Sequence, residues 1–126
     1  MKQELQNQLF ENYPKIFRQK DLSPQETAMC WGISCGDGWF DIVNVLCLNI
    51  RKHAEFTGKS IEAVQVKSKW GALRVYLEGE GVDDFIRGLV KMAESMSRTI
   101  KENSPKEIFF EENEDDWSCT STGERK

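Results

Sequence analysis

The chain has 126 residues, 39% of them hydrophobic and 10% aromatic, with only three prolines; this suffices for one core, hardly for two, and excludes a collagenous, coiled-coil or wholly disordered chain. Seventeen Lys and Arg oppose twenty-one Asp and Glu, a net charge of −4, and the excess lies at one end: residues 107–126 hold seven acids and two bases, residues 1–106 fourteen acids and fifteen bases. The nearly neutral body lacks the clustered basic excess that binding duplex nucleic acid through its phosphates requires.

Residues 2–12, rich in Gln, Glu, Lys and Leu, predict a first helix that Pro14 ends just after Tyr13. Beyond it, Pro14, Pro24, Gly32, Gly36 and Gly38 interrupt any period. So long an irregular stretch is uncommon in a compact domain and often functional; short helical turns or an edge strand over 29–33 would occupy part of it. Trp39, Ile42, Val43, Leu46 and Ile50 then recur at helical spacing, and Phe40, Val45, Cys47 and Leu48 make the segment apolar nearly all round. The spacing predicts a central helix over 38–57, capped by Asp37 and terminated by Gly58.

After Gly58 the period changes from 3.6 to 2. Val64 and Val66 alternate with Gln65 and Lys67, and Leu73, Val75 and Leu77 with Arg74 and Tyr76, which reads as two strands joined near Lys69, Trp70 and Gly71. The aliphatic residues are expected on the core face, with Gln65, Lys67, Lys69, Arg74 and Tyr76 on the wetter one, depending on turn register. Val82, Phe85, Ile86, Leu89, Ala93, Met96 and Ile100 trace the apolar face of a last helix over 82–103, with Asp83 and Asp84 at the positive end of its dipole and Pro105 beyond its end. Residues 106–110 suggest a short additional strand. The resulting expectation is an α+β fold: a small, mostly antiparallel sheet around a hairpin at about 62–78, packed in two layers against helices at about 38–57 and 82–103. Residues 1–110 form its single domain, and residues 111–126 an acidic, flexible tail.

No apolar run near the N-terminus has the length of a signal peptide, and none approaches the roughly 20 residues of a membrane span. An unsecreted protein without membrane contact is expected, whose four cysteines, Cys30, Cys35, Cys47 and Cys119, stay reduced. Cys47, within VNVLCLNI, reads as a small buried hydrophobe. Cys30 and Cys35 are paired in CWGISC, but the remaining ligand candidates are His53 and the distant Cys119, so the four coherent ligands of a structural zinc site are missing. The chain has no P-loop, GxGxxG, HExxH or GxSxG, and Asp83 and Asp84, as helix neighbours, point apart. Asp37 and Asp41 are four apart, but capping explains Asp37 better than a metal does. No catalytic residue, metal or cofactor is expected, and the protein reads as a non-enzyme.

A binding surface is the more informative candidate. Trp31, Trp39 and Trp70 sit near turns or element ends, and Lys67, Lys69 and Arg74 lie in the hairpin. Aromatic faces beside cations suit a nucleotide or a partner's acidic surface, the rings stacking and the cations meeting phosphate or carboxylate. The competing reading is tryptophans packed in the core and lysines that discourage edge pairing. Glu111, Glu112, Glu114, Asp115 and Asp116, followed by Trp117, are either a solvated end or an interaction tail that occupies a basic groove on another protein.

YPKIFRQKDL, CWGISCGDGWFDIV, AVQVKSKWGALRVYLEG and IRGLVKMAESMS, in this order over about residues 10–98, resemble a family of small proteins carried by bacteriophages and prophages. The combination of GDGW with VKxKxGxLRxY is the most specific part. Members of that family often continue the last helix into a Cys-x-x-Cys segment, and this chain has MSRTIKENSPKEIFFEE there instead. The resemblance implies phage origin and action in the cytoplasm of an infected bacterium, without implying an activity. With no catalytic constellation, it leads to an expected function as a binding protein that inhibits a bacterial defence or nucleic-acid-processing protein. The alternatives are a sponge for a small nucleotide messenger, and a zinc-binding or enzymatic protein using Cys30, Cys35 and His53.

Overall fold

The computed structural model describes residues 1–103, and the expected strand at 106–110 and the acidic segment lie outside them. Within these residues the chain is α+β, with three helices and a three-stranded mixed sheet. The first helix, α1 (Gln3–Asn12), buries Leu5 and Leu9 and ends before Pro14. Single 3-10 turns at Arg18–Asp21 and Met29–Trp31 follow, then the two-residue strand β1 (Ile33–Ser34). The central helix α2 (Phe40–Thr57) precedes the hairpin of β2 (Glu62–Lys69) and β3 (Ala72–Glu78), and α3 (Asp84–Ser97) comes last.

The sheet order is β1-β2-β3. The hairpin is antiparallel, pairing Val66 with Val75 and Ser68 with Leu73 on the core face and Lys67 with Arg74 and Gln65 with Tyr76 on the other, as the period-2 pattern predicts. An irregularity between Ala63 and Gln65 shifts the register by one, so Val64 leaves the alternation. The third strand departs from expectation: β1 runs parallel to β2, with Ile33 opposite Val66, and residues 29–31 form a helical turn instead of its beginning. Both outer edges of the hairpin are covered by groups distant in sequence. On β3, the outward Leu73 and Val75 amides donate to Ser97 Oγ (2.9 Å) and to a Glu94 carboxylate oxygen (3.2 Å) of α3. On β2, Ala63 N donates to Ile16 O, and Thr27 Oγ1 donates to Val64 O below the β1 pairing. Covered edges leave no template for strand addition.

Two helix boundaries differ from the apolar pattern. Asp37 does not cap α2; Asp37–Trp39 form a 3-10 turn, and Asp37 Oδ1 accepts from Lys2 N (2.8 Å), which fastens the start of α1. Gly58 terminates α2 as expected, in the left-handed region with its N–H on Ala54 O. The last helix stops at Ser97 instead of continuing to 103, because residues 100–103 turn back against the start of α2. There Gly38 N donates to Glu102 O (2.7 Å), Gly36 N and Ser68 Oγ donate to the Glu102 carboxylate (3.0 and 2.7 Å), and Trp39 Nε1 donates to Ile100 O (2.6 Å). A Cβ on Gly36 would lie 2.1 Å from Glu102 O, and one on Gly38 2.1 Å from Lys101 O, so only glycine admits this crossing.

Candidate functional site: the hairpin tip

The turn that closes the hairpin has two residues, Trp70 and Gly71, between the paired Lys69 and Ala72. Both have positive φ, 57° and 76°, the signature of a type I′ turn, whose twist matches that of the flanking strands. Asn-Gly is the usual occupant. A bulky residue in the first position is an outlier, costing about 1–2 kcal/mol relative to the right-handed region. Trp70 is the only non-glycine residue with positive φ among the described residues, and its side chain is 87% exposed. Among the described residues, no packing explains why tryptophan stands there.

The flanking residues complete a polar platform. Lys69 is exposed, and Lys67 Nζ lies 5.9 Å from the centre of the half-exposed Tyr76 ring, a cation–π contact. Arg74, opposite Lys67, has Nη1 3.8 Å from Glu94 Oε1 and is partly neutralised by it. Among the described residues, no carboxylate forms a salt bridge with Lys67 or Lys69. The opposite end of the hairpin is closed. The buried Gln19 side chain bonds to both Glu62 and Glu78, and Arg18 forms a two-pronged bond to Glu62 (2.7 and 2.9 Å). The bonds from Arg18 and Gln19 hold the Glu62 carboxyl below the usual range. The wetter face of the hairpin is thus open toward Trp70 and tied down away from it.

The sequence candidates separate accordingly. Lys67, Lys69, Trp70 and Arg74 come together at the tip, and Tyr76 joins them as the ring beneath Lys67. Trp31 is exposed, but it enters β1 from the end away from the turn, since β1 parallels β2. Trp39 is removed from the candidate surface: it is 1% exposed, and its indole N–H is committed to Ile100 O. Its helical spacing with Ile42, Val43 and Leu46 already marked it as a core residue. Glu111, Glu112, Glu114, Asp115, Asp116 and Trp117 lie outside the described residues. Two concavities, one lined by Asn7, Phe10 and Lys20 among others and one of about 580 Å³ between Tyr13–Ile16, the end of α2 and Lys59–Glu62, include none of the tip residues.

The cysteine alternative does not assemble among the described residues. Burial pushes the Cys35 thiol up to about 12, and likewise that of Cys47, so both are protonated and unreactive near neutrality. His53, near the far end of α2, has Nε2 2.9 Å from Asp83 Oδ2 and stacks on Phe85. Asp83 also caps α3 by accepting from Ile86 N, and the bonds from His53 and Ile86 lower its pKa. Among the described residues, no three His, Cys, Asp or Glu side chains are grouped to hold a metal ion. No helix among them is long and apolar enough to cross a membrane.

Comparison with known proteins finds no matching family model, no matching curated protein and no matching solved structure.

Proposed function

We propose that this protein is a non-enzymatic binding protein that acts in the cytoplasm of an infected bacterium, docking on a host defence or nucleic-acid-processing protein and inhibiting it. The observation that carries this reading is Trp70: a nearly fully exposed indole, held at φ 57° on the tip of a hairpin whose two outer edges are covered. Strained conformations persist where the surroundings enforce them, and they cluster at functional positions. A rigid projecting tryptophan is the residue type that most often anchors an interface, filling a partner pocket at small entropic cost. Lys67 and Lys69 beside it favour a pocket with an acidic rim. The segment of Glu111, Glu112, Glu114, Asp115, Asp116 and Trp117 offers a second contact of opposite charge, and the phage-family resemblance of the motifs supplies the host setting.

The test is a pull-down from bacterial cells with the tagged full chain, the Trp70→Ala variant and a Lys67→Glu/Lys69→Glu variant. One dominant protein should be recovered with the wild type, lost with Trp70→Ala and recovered poorly with the charge reversal, all three chains melting alike. Equal recovery with Trp70→Ala would remove the tip from the function. The nucleotide-sponge alternative rests on Trp70 stacking on a base with Lys67, Lys69 or Arg74 on phosphate. It predicts thermal stabilisation by micromolar cyclic or linear nucleotides, and no shift across a broad panel would end it.

A further inference from the structure

The crevice between residues 13–16, the end of α2 and residues 59–62 has no part in the hairpin tip, and its volume of about 580 Å³ lies within the range of small-ligand pockets. Its floor is apolar, with Tyr13, Ile16 and Ile61 buried and Ala54 half-buried beside them. Both walls are held in place. On one, Tyr13 Oη donates to Asn44 Oδ1 (2.7 Å), and Ile16 O accepts from Ala63 N (2.8 Å). On the other, Ser60 O accepts from Gly81 N (2.9 Å), and Gly79 packs so closely behind it that a Cβ there would collide with the same carbonyl. Ala54 O, near the end of α2, is taken by Gly58 N (2.8 Å).

The rim is cationic. Lys15, Arg18, Arg51 and Lys59 line the crevice, against the carboxylates of Glu55 and Glu62. Arg18 and Glu62 neutralise each other, and Arg51 lies over the Tyr13 ring, 5.3 Å from its centre. Among the described residues, no carboxylate forms a salt bridge with the exposed Lys15 or Lys59.

We propose that this crevice binds a free organic acid, with an apolar body on the floor and one carboxylate at the rim among Lys15, Arg51 and Lys59; the inference is independent of the role assigned to Trp70. The floor selects the body. Its polar groups are already bonded to one another, so a nucleobase or sugar placed on it would lose water from its own donors and acceptors without replacement. A hydrocarbon or aromatic body gains by leaving water there. The rim selects the head, since its excess of positive charge lies in the lining itself. Glu55 and the negative end of α2 oppose an anion, which favours a monoanion over a phosphate dianion. Walls that are already fixed need no ordering on binding, and a dissociation constant of about 0.1 mM is expected for a small acid.

Octanoate is the probe, titrated into the full chain and followed by amide chemical shifts and by melting temperature. Saturable shifts centred on residues 13–16 and 54–62 are expected, with a raised melting temperature. Octanol and octylamine, which carry the same body without the negative charge, should bind at least about fivefold more weakly. Lys15→Glu/Lys59→Glu should weaken octanoate about tenfold and octylamine not at all, with unchanged circular dichroism. Ala54→Phe, which fills the floor, should weaken all three ligands. No saturation by millimolar octanoate overturns the proposal, and so do shifts centred on the exposed Phe85 and Met92 of α3 or a folded Ala54→Phe that binds as the wild type does. Octanol binding as tightly as octanoate, or a charge reversal without effect, overturns the assignment of the head. A saturable response to AMP in the same crevice overturns that of the body.

Discussion

Two tryptophans, each beside a glycine, mark the two most contrasting regions of the molecule. Trp39, in GDGW, is sealed at the crossing where residues 100–103 return to the start of α2, with its N–H bonded and its ring almost fully buried. Trp70, in KWG, stands at the hairpin tip, 87% exposed and with an unfavourable φ. The neighbouring glycines serve opposite ends: Gly36 and Gly38 let two backbones touch, and Gly71 lets one backbone turn. Burial at the crossing invests the tryptophan in stability. Exposure at the tip leaves it free for a partner. A motif containing tryptophan and glycine is therefore no guide to a site until the packing around it is known.

That contrast breaks most visibly at the crossing. Trp39→Ala should cost about 3–5 kcal/mol, a large share of the stability of a domain this size, read as a shift of the urea midpoint. Gly38→Ala forces a Cβ onto the Lys101 carbonyl and should cost about 1–3 kcal/mol, with amide exchange accelerated first around residues 100–103. Ser97→Ala leaves the buried Leu73 amide without its acceptor, and a loss of about 1–3 kcal/mol in the same assay would establish the α3 edge cover.

Smaller effects come from pH. Cys35 and Cys47 keep their protons in the fold up to about 12, whereas an unfolded thiol ionises near 9. Stability should therefore be full below about pH 9 and fall between 9 and 12 as the unfolded chain releases protons that the fold retains, with a shallower fall in Cys47→Ala. Asp83 has the opposite sign. Its pKa is lowered by the bonds from His53 and Ile86, so its contribution is present above the ordinary carboxylate range and is lost as pH drops through the lowered value. In acid unfolding, Asp83→Asn should flatten that limb. The smallest change in stability belongs to the tip: Trp70→Ala should stay within about 0.5 kcal/mol of the wild type, and Trp70→Asn, better suited to positive φ, should equal or exceed it. A large loss on Trp70→Ala would mean that the tip, like Trp39, is structural.

Much of the architecture was legible in the chain. The apolar period of 3.6 located α2, alternation located β2 and β3, and Lys69-Trp70-Gly71 marked their turn, because these signals depend on neighbours in sequence. Gly58 as terminator and the grouping of Lys67, Lys69, Trp70 and Arg74 followed from the same local rules. The apolar face of α3 was legible as apolar, but not how much of it is covered, since periodicity records what a face is made of and not what lies against it: Ile86 and Ala93 are buried, Phe85 and Met96 exposed. Asp37 fits a helix cap by type and position, yet a backbone amide 35 residues away reaches it first.

The sequence by itself determined the α+β class, the hairpin with its turn, and a chain without a recognisable catalytic constellation, all consequences of short-range spacing and side-chain chemistry. Only the tertiary structure decided that β1 joins in parallel, that α3 stops at Ser97, that Trp39 is core while Trp70 projects, and that both hairpin edges are covered. Apart from the projection of Trp70, each of these turns on a contact between groups far apart along the chain, whose free energy exists only once the chain has closed the loop between them.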